Sequence, residues 1–357
     1  MSLSRHNEKP HDTSEYREGG ADTKMQEAER SHVQKLTKIF QDSWEKNRKE
    51  GDPDVSFTFL FAAHAYVRDL HPKVRSELEN ADIYMPEVVG WRTEDTKDFD
   101  DISTGEVAPM GYSGSFLRAF EDAIEKTGVV VVIPDLPEGH QLIEQQDALD
   151  ERLELIRRLP FDEAVQGFDQ YTNDFAMVER TREEEIMKNI PVGIREALER
   201  NEGLQKRKQL KVVIEYGTSH TSLYHALSST GLDVTRDMSD RPHTTYAHFE
   251  ELHRKYLFGG ADSKPTEELA ARGLVAILLY DAIARGFRGF EASTDEELRV
   301  CRMAIDSLSV DDLRDVWGEH LRQPGPFALL AAVEKKGFVV PKTRAELDEL
   351  LQSKRKL

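Results

Sequence analysis

Residues 211–220, KVVIEYGTSH, constrain the fold more than any other stretch of the chain. Val212, Val213 and Ile214 form an unbroken β-branched run, closed by Gly217 and small polar residues. Such a run reads as a strand buried on both faces, the environment of a parallel sheet. Residues at the carboxyl ends of parallel strands line the crevice where open α/β sheets bind ligands, which makes His220 a candidate site residue. Gly217 is expected to permit a sharp turn there, and Thr218 and Ser219 are too small to screen the ring. A lone histidine in such a place is more often a hydrogen-bonded core residue. A second occurrence of the pattern upstream changes that weighing.

That occurrence is the run 55–63 (VSFTFLFAA), which ends at His64. Further strands are expected at 81–89 (ADIYMPEVV, with Glu87 near its end), at 129–135 (VVVVIPD) and at 232–236 (LDVTR). Between them the apolar spacing switches to the helical period: 25–49, 68–80, 115–126, 141–158, 222–230, and 163–198 in two pieces broken near Pro191. The loop 90–114 is long, acidic and rich in turn residues, the kind that tends to be functional. From about 245 the pattern is helix after helix, at 268–287, 295–308, 309–320 and 326–336. Residues 55–84 and 211–235 share the order strand, turn, His, helix, strand, a weak internal repeat. The expected fold is therefore α/β. A parallel or mixed sheet of about five strands is flanked by helices and followed by a C-terminal helical extension. The expected division is a disordered tail over 1–28, an α/β domain over 29–241 and a helical cap over 242–357.

Composition narrows the function classes. A formal charge of −19 over 357 residues argues against a nucleic-acid partner, which needs clustered Lys and Arg. No apolar run reaches the roughly 18 residues of a membrane span, and the N-terminus lacks the apolar segment of a secretory signal. Cys301 is the single cysteine, which excludes intrachain disulfides and cysteine-cluster metal sites. These features fit a cytoplasmic protein.

Four ionisable residues fall at strand ends or on an adjoining helix: His64, Glu87, Arg182 and His220. Two imidazoles and a carboxylate can hold a divalent ion that activates water. Without metal, the same groups can act as acid and base, with Arg182 stabilising an oxyanion. Each also has a blander explanation. His64 can be a core histidine, Glu87 can pair with Arg92 or cap a helix, and Arg182 lies in the Arg/Glu-rich run TREEEIMK with Arg180 as a rival. His140, after the turn that follows 129–135, can reach the same crevice. Thr218 and Ser219 can line a substrate site, although turn residues are the simpler reading. His243, His248 and His253 lack the i, i+4 spacing of a metal pair and read as surface, or as lining the approach from the cap. The charge runs 150–158 and 179–185 read as solvated helix faces.

The runs FAAH, ADIYMPE, RTREEEIMKNI and EYGTSH, in that order, resemble the successive motifs of the TIKI/TraB group within the erythromycin esterase/ChaN-like superfamily. The resemblance covers roughly residues 55–240. It sets His64 and His220 on the two Gly-x-x-His motifs, Glu87 on the strand-end glutamate, and Arg182 with Glu183 on a helix that begins Arg-Asp/Asn. Phe61 stands where the first motif has glycine, and Glu183 replaces Asp or Asn. A bulky Phe61 is expected to narrow the approach to His64. The resemblance implies a hydrolase of peptide or ester bonds acting on a small-molecule or peptide substrate. It also implies a divalent metal (Mn, Co or Zn) on His64, Glu87 and His220 in some members, and haem-type ligand binding in others. A further alternative is an inactive scaffold that meets a protein partner through its C-terminal helices.

Overall fold

The computed structural model describes residues 21–62, 73–91, 123–238, 247–257, 266–290, 292 and 294–353. Five strands form one sheet in the order β3-β2-β4-β1-β5. They are β1 (Asp54–Ala62), β2 (Ile83–Pro86), β3 (Val130–Val131), β4 (Gln209–Gly217) and β5 (Asp233–Met238). Every pairing is parallel, so all five carboxyl ends emerge along one edge. The run that reads as an interior strand is β4, flanked by β1 and β2. The chain leaves β2 toward β3 and leaves β4 in the opposite direction toward β5. The crevice between the ends of β2 and β4 is therefore a topological switch point, the ligand-binding position of such sheets.

Side-chain alternation divides the sheet into two buried faces. Phe57, Phe59 and Phe61 of β1 and Val212, Ile214 and Tyr216 of β4 pack with Leu36 and Phe40 of α1 (Ala21–Asn47). Leu60, Tyr84, Val131 and Val213 face the other way, against Val74 and Leu78 of α2 (Val74–Leu78). Phe40 and Phe57 meet edge to face at 6.3 Å and Phe59 stacks on Phe61 at 5.5 Å. Aromatic pairs of this kind add about 0.5–1.5 kcal/mol beyond the area they bury. Phe61 is thus committed to the core. Residues 63–72 with His64, the loop over 92–122 and the first 20 residues lie outside the described residues.

Several expectations change. α1 begins at Ala21, ahead of the boundary expected at 29, because its first turns (ADTKMQEA) consist mostly of good helix formers. β3 is short: Val132 N still donates to Tyr84 O at 2.9 Å, but Pro134 has no N–H with which to extend the ladder. After α3 (Gln141–Ile156) comes α4 (Phe161–Arg200), one unbroken helix of 40 residues with Pro191 inside it. Proline there forfeits one helical hydrogen bond, yet Ile186, Met187, Ile190, Ile194 and Ala197 anchor both sides of it against the sheet. Beyond the short α5 (Glu202–Gln205), α6 (Thr221–Ser228) follows β4.

The C-terminal helices are α7 (Ala247–Leu257), α8 (Thr266–Gly286), α9 (Thr294–Asp306), α10 (Val310–Arg322), α11 (Pro326–Lys335) and α12 (Arg344–Ser353). Their core also contains Leu142 and Leu149 of α3 and Phe161, Phe168, Tyr171 and Val178 of α4. α4 therefore belongs to two cores: its first half to the helical one, its second half to the sheet. No helix among the described residues is long and apolar enough to cross a membrane.

Candidate functional site

The seam between those two cores falls at residues 179–183 of α4, and there the apolar stripe gives way to charge. Arg182 and Glu183 lie three and four positions after Glu179, on one helix face, directed at the carboxyl ends of the strands. Arg182 is only 4% exposed. Its Nε and Nη2 donate to the two carboxylate oxygens of Asp135 at 2.9 and 2.6 Å, a bidentate pair. Nη2 also donates to Glu87 Oε1 at 2.8 Å, and Nη1 to Glu179 Oε1 at 3.4 Å. Burial disfavours its charge, but Asp135, Glu179 and Glu87 outweigh that and hold its pKa well above the usual value.

His220 reaches the seam from a 3-10 turn (Thr218–His220) between β4 and α6 and is 2% exposed. Its Nδ1 lies 3.2 Å from Glu183 Oε1, and its Nε2 lies 3.2 Å from Glu179 Oε2 and 3.3 Å from Glu87 Oε1. Burial opposes protonation, yet Glu87, Glu179 and Glu183 together raise the ring's pKa well above its usual value, which favours the doubly protonated ring. Glu183 is itself buried and accepts from His32 Nε2 of α1 at 2.7 Å. Burial pushes Glu183 up, and His220 and His32 more than reverse this, leaving its carboxyl below the ordinary range.

Glu87, just past the end of β2, is the member of the group nearest solvent, its side chain 17% exposed. Its Oε2 accepts from Gly217 N at 2.7 Å, a hydrogen bond that crosses the switch-point crevice. Gly217 has φ −61 and ψ 154, an ordinary extended conformation; no sharp glycine turn is needed. Asp135 follows β3 and also accepts from the N–H of Leu136 at 2.8 Å. Four carboxylates (Glu87, Asp135, Glu179, Glu183) thus surround two cations (Arg182, His220). Beneath them Glu215 is buried in β4, and Tyr84 donates to it. Tyr216 stands edge-on to His220 at 5.5 Å, its hydroxyl buried without a hydrogen-bond partner. Burial first, then Asp135, holds that hydroxyl's pKa well above the usual value.

Of the residues singled out in the sequence, Glu87, Arg182 and His220 converge, while His64 lies outside the described residues. Ser219 is half-buried beside them, and the side chain of Thr218 is outside the description. His140 serves as the N-cap of α3, its Nδ1 accepting from Leu142 N at 3.2 Å, which gives the ring a structural task. The run 179–185 is not a solvated face. Glu179, Arg182 and Glu183 are buried, while Glu184 and Glu185 bond to Lys35 and Lys188 at the surface. His248 and His253 are not surface residues either, because α7 packs against α4. His248 lies 2.8 Å from Asp306, and His253 packs on Phe175 and Phe249 with ring centroids 5.2 and 5.7 Å away. His243 is outside the described residues.

Sequence reasoning singled out none of Asp135, Glu179 and His32, and reached Glu183 only as the neighbour of Arg182 in the family resemblance. The signal was present for three of them: Asp135 ends a strand-like run, and Glu179 and Glu183 continue the stripe formed by Ala176, Ile186 and Ile190. A charged residue on a buried stripe is a buried charge. His32, on a helix far away in the chain, gave none.

Among the described residues no group of three or more His, Cys, Asp or Glu stands in an arrangement that holds a metal ion. Compared with protein-family models, with curated proteins and with solved structures, the chain finds no match.

Proposed function

We propose that the chain is a hydrolase of peptide or ester bonds, of the TIKI/TraB type, whose reacting groups are Glu87 and His220. One observation carries this reading: a carboxylate and an imidazolium, 3.3 Å apart, at the switch point of a parallel sheet, with only the carboxylate reaching solvent. Glu87 accepts a proton from the attacking water, and the Nε2–H of His220 protonates the leaving group. Proton transfer from Glu87 Oε1 to His220 Nε2 then restores both. Arg182 has its N–H groups turned to Asp135, Glu87 and Glu179, so its role in this scheme is to hold Glu87 ionised and aimed. Its second Nη1–H lies toward His220, with Nη1 3.4 Å from Nε2, and is the one donor of Arg182 left for the oxyanion contact first expected of it. His64, from the end of β1, is proposed to complete the site.

No metal step enters this scheme. A Mn, Co or Zn ion on His64, Glu87 and His220 would instead supply the activated water itself, and chelator sensitivity distinguishes the two routes. The proposed substrate is a small molecule or peptide, and the proposed setting is a reducing cytoplasm, in keeping with the buried Cys301. Phe327 and Val339, 73% and 68% exposed among the C-terminal helices, favour a protein partner there as a second role.

The test is a panel of ester and peptide substrates, assayed with and without chelator. Glu87→Gln and His64→Ala should each reduce kcat by about 100-fold or more with the melting temperature within a few degrees of wild type, and chelator should change nothing. A wild-type protein inert toward the whole panel, with and without added Mn, Co or Zn, sinks the hydrolase.

A further inference from the structure

We propose that Glu183, anchored from behind by His32, is the positioning residue of the site, fixing the ring of His220 so that its Nε2–H points at Glu87. The inference rests on the acid–base reading of Glu87 and His220, and it extends the site to α1, outside the region that suggested a hydrolase. Its basis is a continuous buried chain. His32 Nε2 lies 2.7 Å from Glu183 Oε2, Glu183 Oε1 lies 3.2 Å from His220 Nδ1, and His220 Nε2 lies 3.3 Å from Glu87 Oε1. Every link but the last residue is sealed from solvent.

The chemistry requires such a group. An imidazole has two equivalent ways to carry one proton, and a carboxylate on Nδ1 keeps that nitrogen protonated through the cycle, so that only Nε2 exchanges its proton with the reacting groups. A glutamate on a helix would not hold its orientation by itself, since three side-chain torsions must be fixed. The second oxygen of Glu183 is pinned by His32, whose own position is set by α1 packing on α4 and α6. The remaining groups around His220 have other tasks. Glu87 (after β2) and Glu179 (α4) face Nε2, while Arg182 (α4) holds those two carboxylates and brings its own Nη1 to 3.4 Å from Nε2. Tyr216 (β4) meets the ring edge-on, and His253 (α7) senses its charge. Among the described residues only Glu183 reaches Nδ1.

The experiment is a pH titration of the His220 ring nitrogens by NMR on the 15N-labelled full chain, with His220→Gln assigning the signals. In wild type, both nitrogens should be protonated at neutral pH and the Nδ1–H slow to exchange. Glu183→Gln should lower the His220 midpoint by about 1 pH unit or more. His32→Phe should lower it in the same direction, and His32→Gln, whose amide N–H replaces Nε2–H, should restore it. On a substrate found by the panel, His32→Phe should cost about 10- to 100-fold in kcat with KM little changed.

A rapidly exchanging Nδ1–H in wild type overturns the proposal, and that result needs no variant to fold. So does an unmoved midpoint in a folded Glu183→Gln, or His32→Gln behaving as His32→Phe does. If the titrations come out as expected while wild type hydrolyses nothing, the hydrolase reading fails and the positioning of His220 stands.

Discussion

His253 is 1% exposed, and neither ring nitrogen has a hydrogen-bond partner among the described residues. Burial above all, with the charges of His220 and Arg254 adding to it and Glu179 and Glu183 opposing it, drives its pKa down to about 4, so the ring is neutral in the folded chain. In the unfolded chain it titrates near its ordinary value, about 6.5. The unfolded state therefore binds the extra proton first, and stability falls as pH drops from about 6.5 toward 4, by on the order of 3 kcal/mol. His220 works in the opposite sense. Its folded pKa is raised, so its contribution is full below about 6.5 and is lost as pH rises toward the folded value. Urea unfolding should accordingly show a maximum near pH 6.5 as far as these two rings are concerned. His253→Phe, which keeps an aromatic ring against Phe175 and Phe249 and removes two polar atoms without partners among the described residues, should raise stability at pH 7 by about 1–3 kcal/mol and flatten the acid limb. A destabilised variant, or an acid limb of unchanged slope, would show that the ring nitrogens are satisfied by something such as bound water.

At the scale of elements, α4 is the part that organises the site, and it was only half legible. The strands were readable because an apolar run bounded by turn residues has few other fates, and the candidates at their ends, Glu87 and His220, came with them. The helix was misread twice. Pro191 reads locally as a break, but its surroundings are fixed by tertiary packing that a local rule does not include. The run 179–185 reads as solvated because charge is usually exposed; only the period shared with Ile186 and Ile190 shows which of its members face inward. Close approach of the same helix to the sheet is visible at Gly193, where an added Cβ would overlap Val132 Cγ1. Val132 is β-branched and fixed in its rotamer, so Gly193→Ala should destabilise by about 1–3 kcal/mol through overpacking, more than offsetting alanine's better helix propensity. Equilibrium unfolding measures this directly; an unchanged or more stable variant would mean that α4 can draw back from β3 without cost. Because Glu179, Arg182 and Glu183 ride on that helix, such a retreat would also lengthen the contacts of Arg182 with Asp135 and Glu87.

At the scale of the molecule, the sequence pattern divides the chain near residue 241, with strands before and helices after, yet the packing does not follow that line. Leu142, Leu149, Phe161 and Phe168 lie in the core of the C-terminal helices, and α4 runs unbroken from that core into the one behind the sheet. A helix continuous across two cores couples them, since neither end can be released without exposing the other's apolar face. The tryptophans are placed to test this coupling. Trp44 packs on Phe40 and Phe57 in the sheet core, at 5.5 and 6.5 Å, while Trp317 packs on Phe161 at 6.5 Å and donates to Leu159 O at 2.9 Å in the helical one. Two single-tryptophan proteins, with Trp91→Phe combined with either Trp317→Phe or Trp44→Phe, report each core separately. Both fluorescence transitions in urea should coincide with each other and with the loss of helical circular dichroism, the signature of one cooperative unit. Removal of everything beyond residue 262 should then abolish cooperative unfolding instead of releasing a stable α/β domain. Two separated midpoints, or a truncated chain that still melts sharply, would mean that the cores fold independently. In that case the charged seam at Glu179, Arg182 and Glu183 would be a hinge between domains.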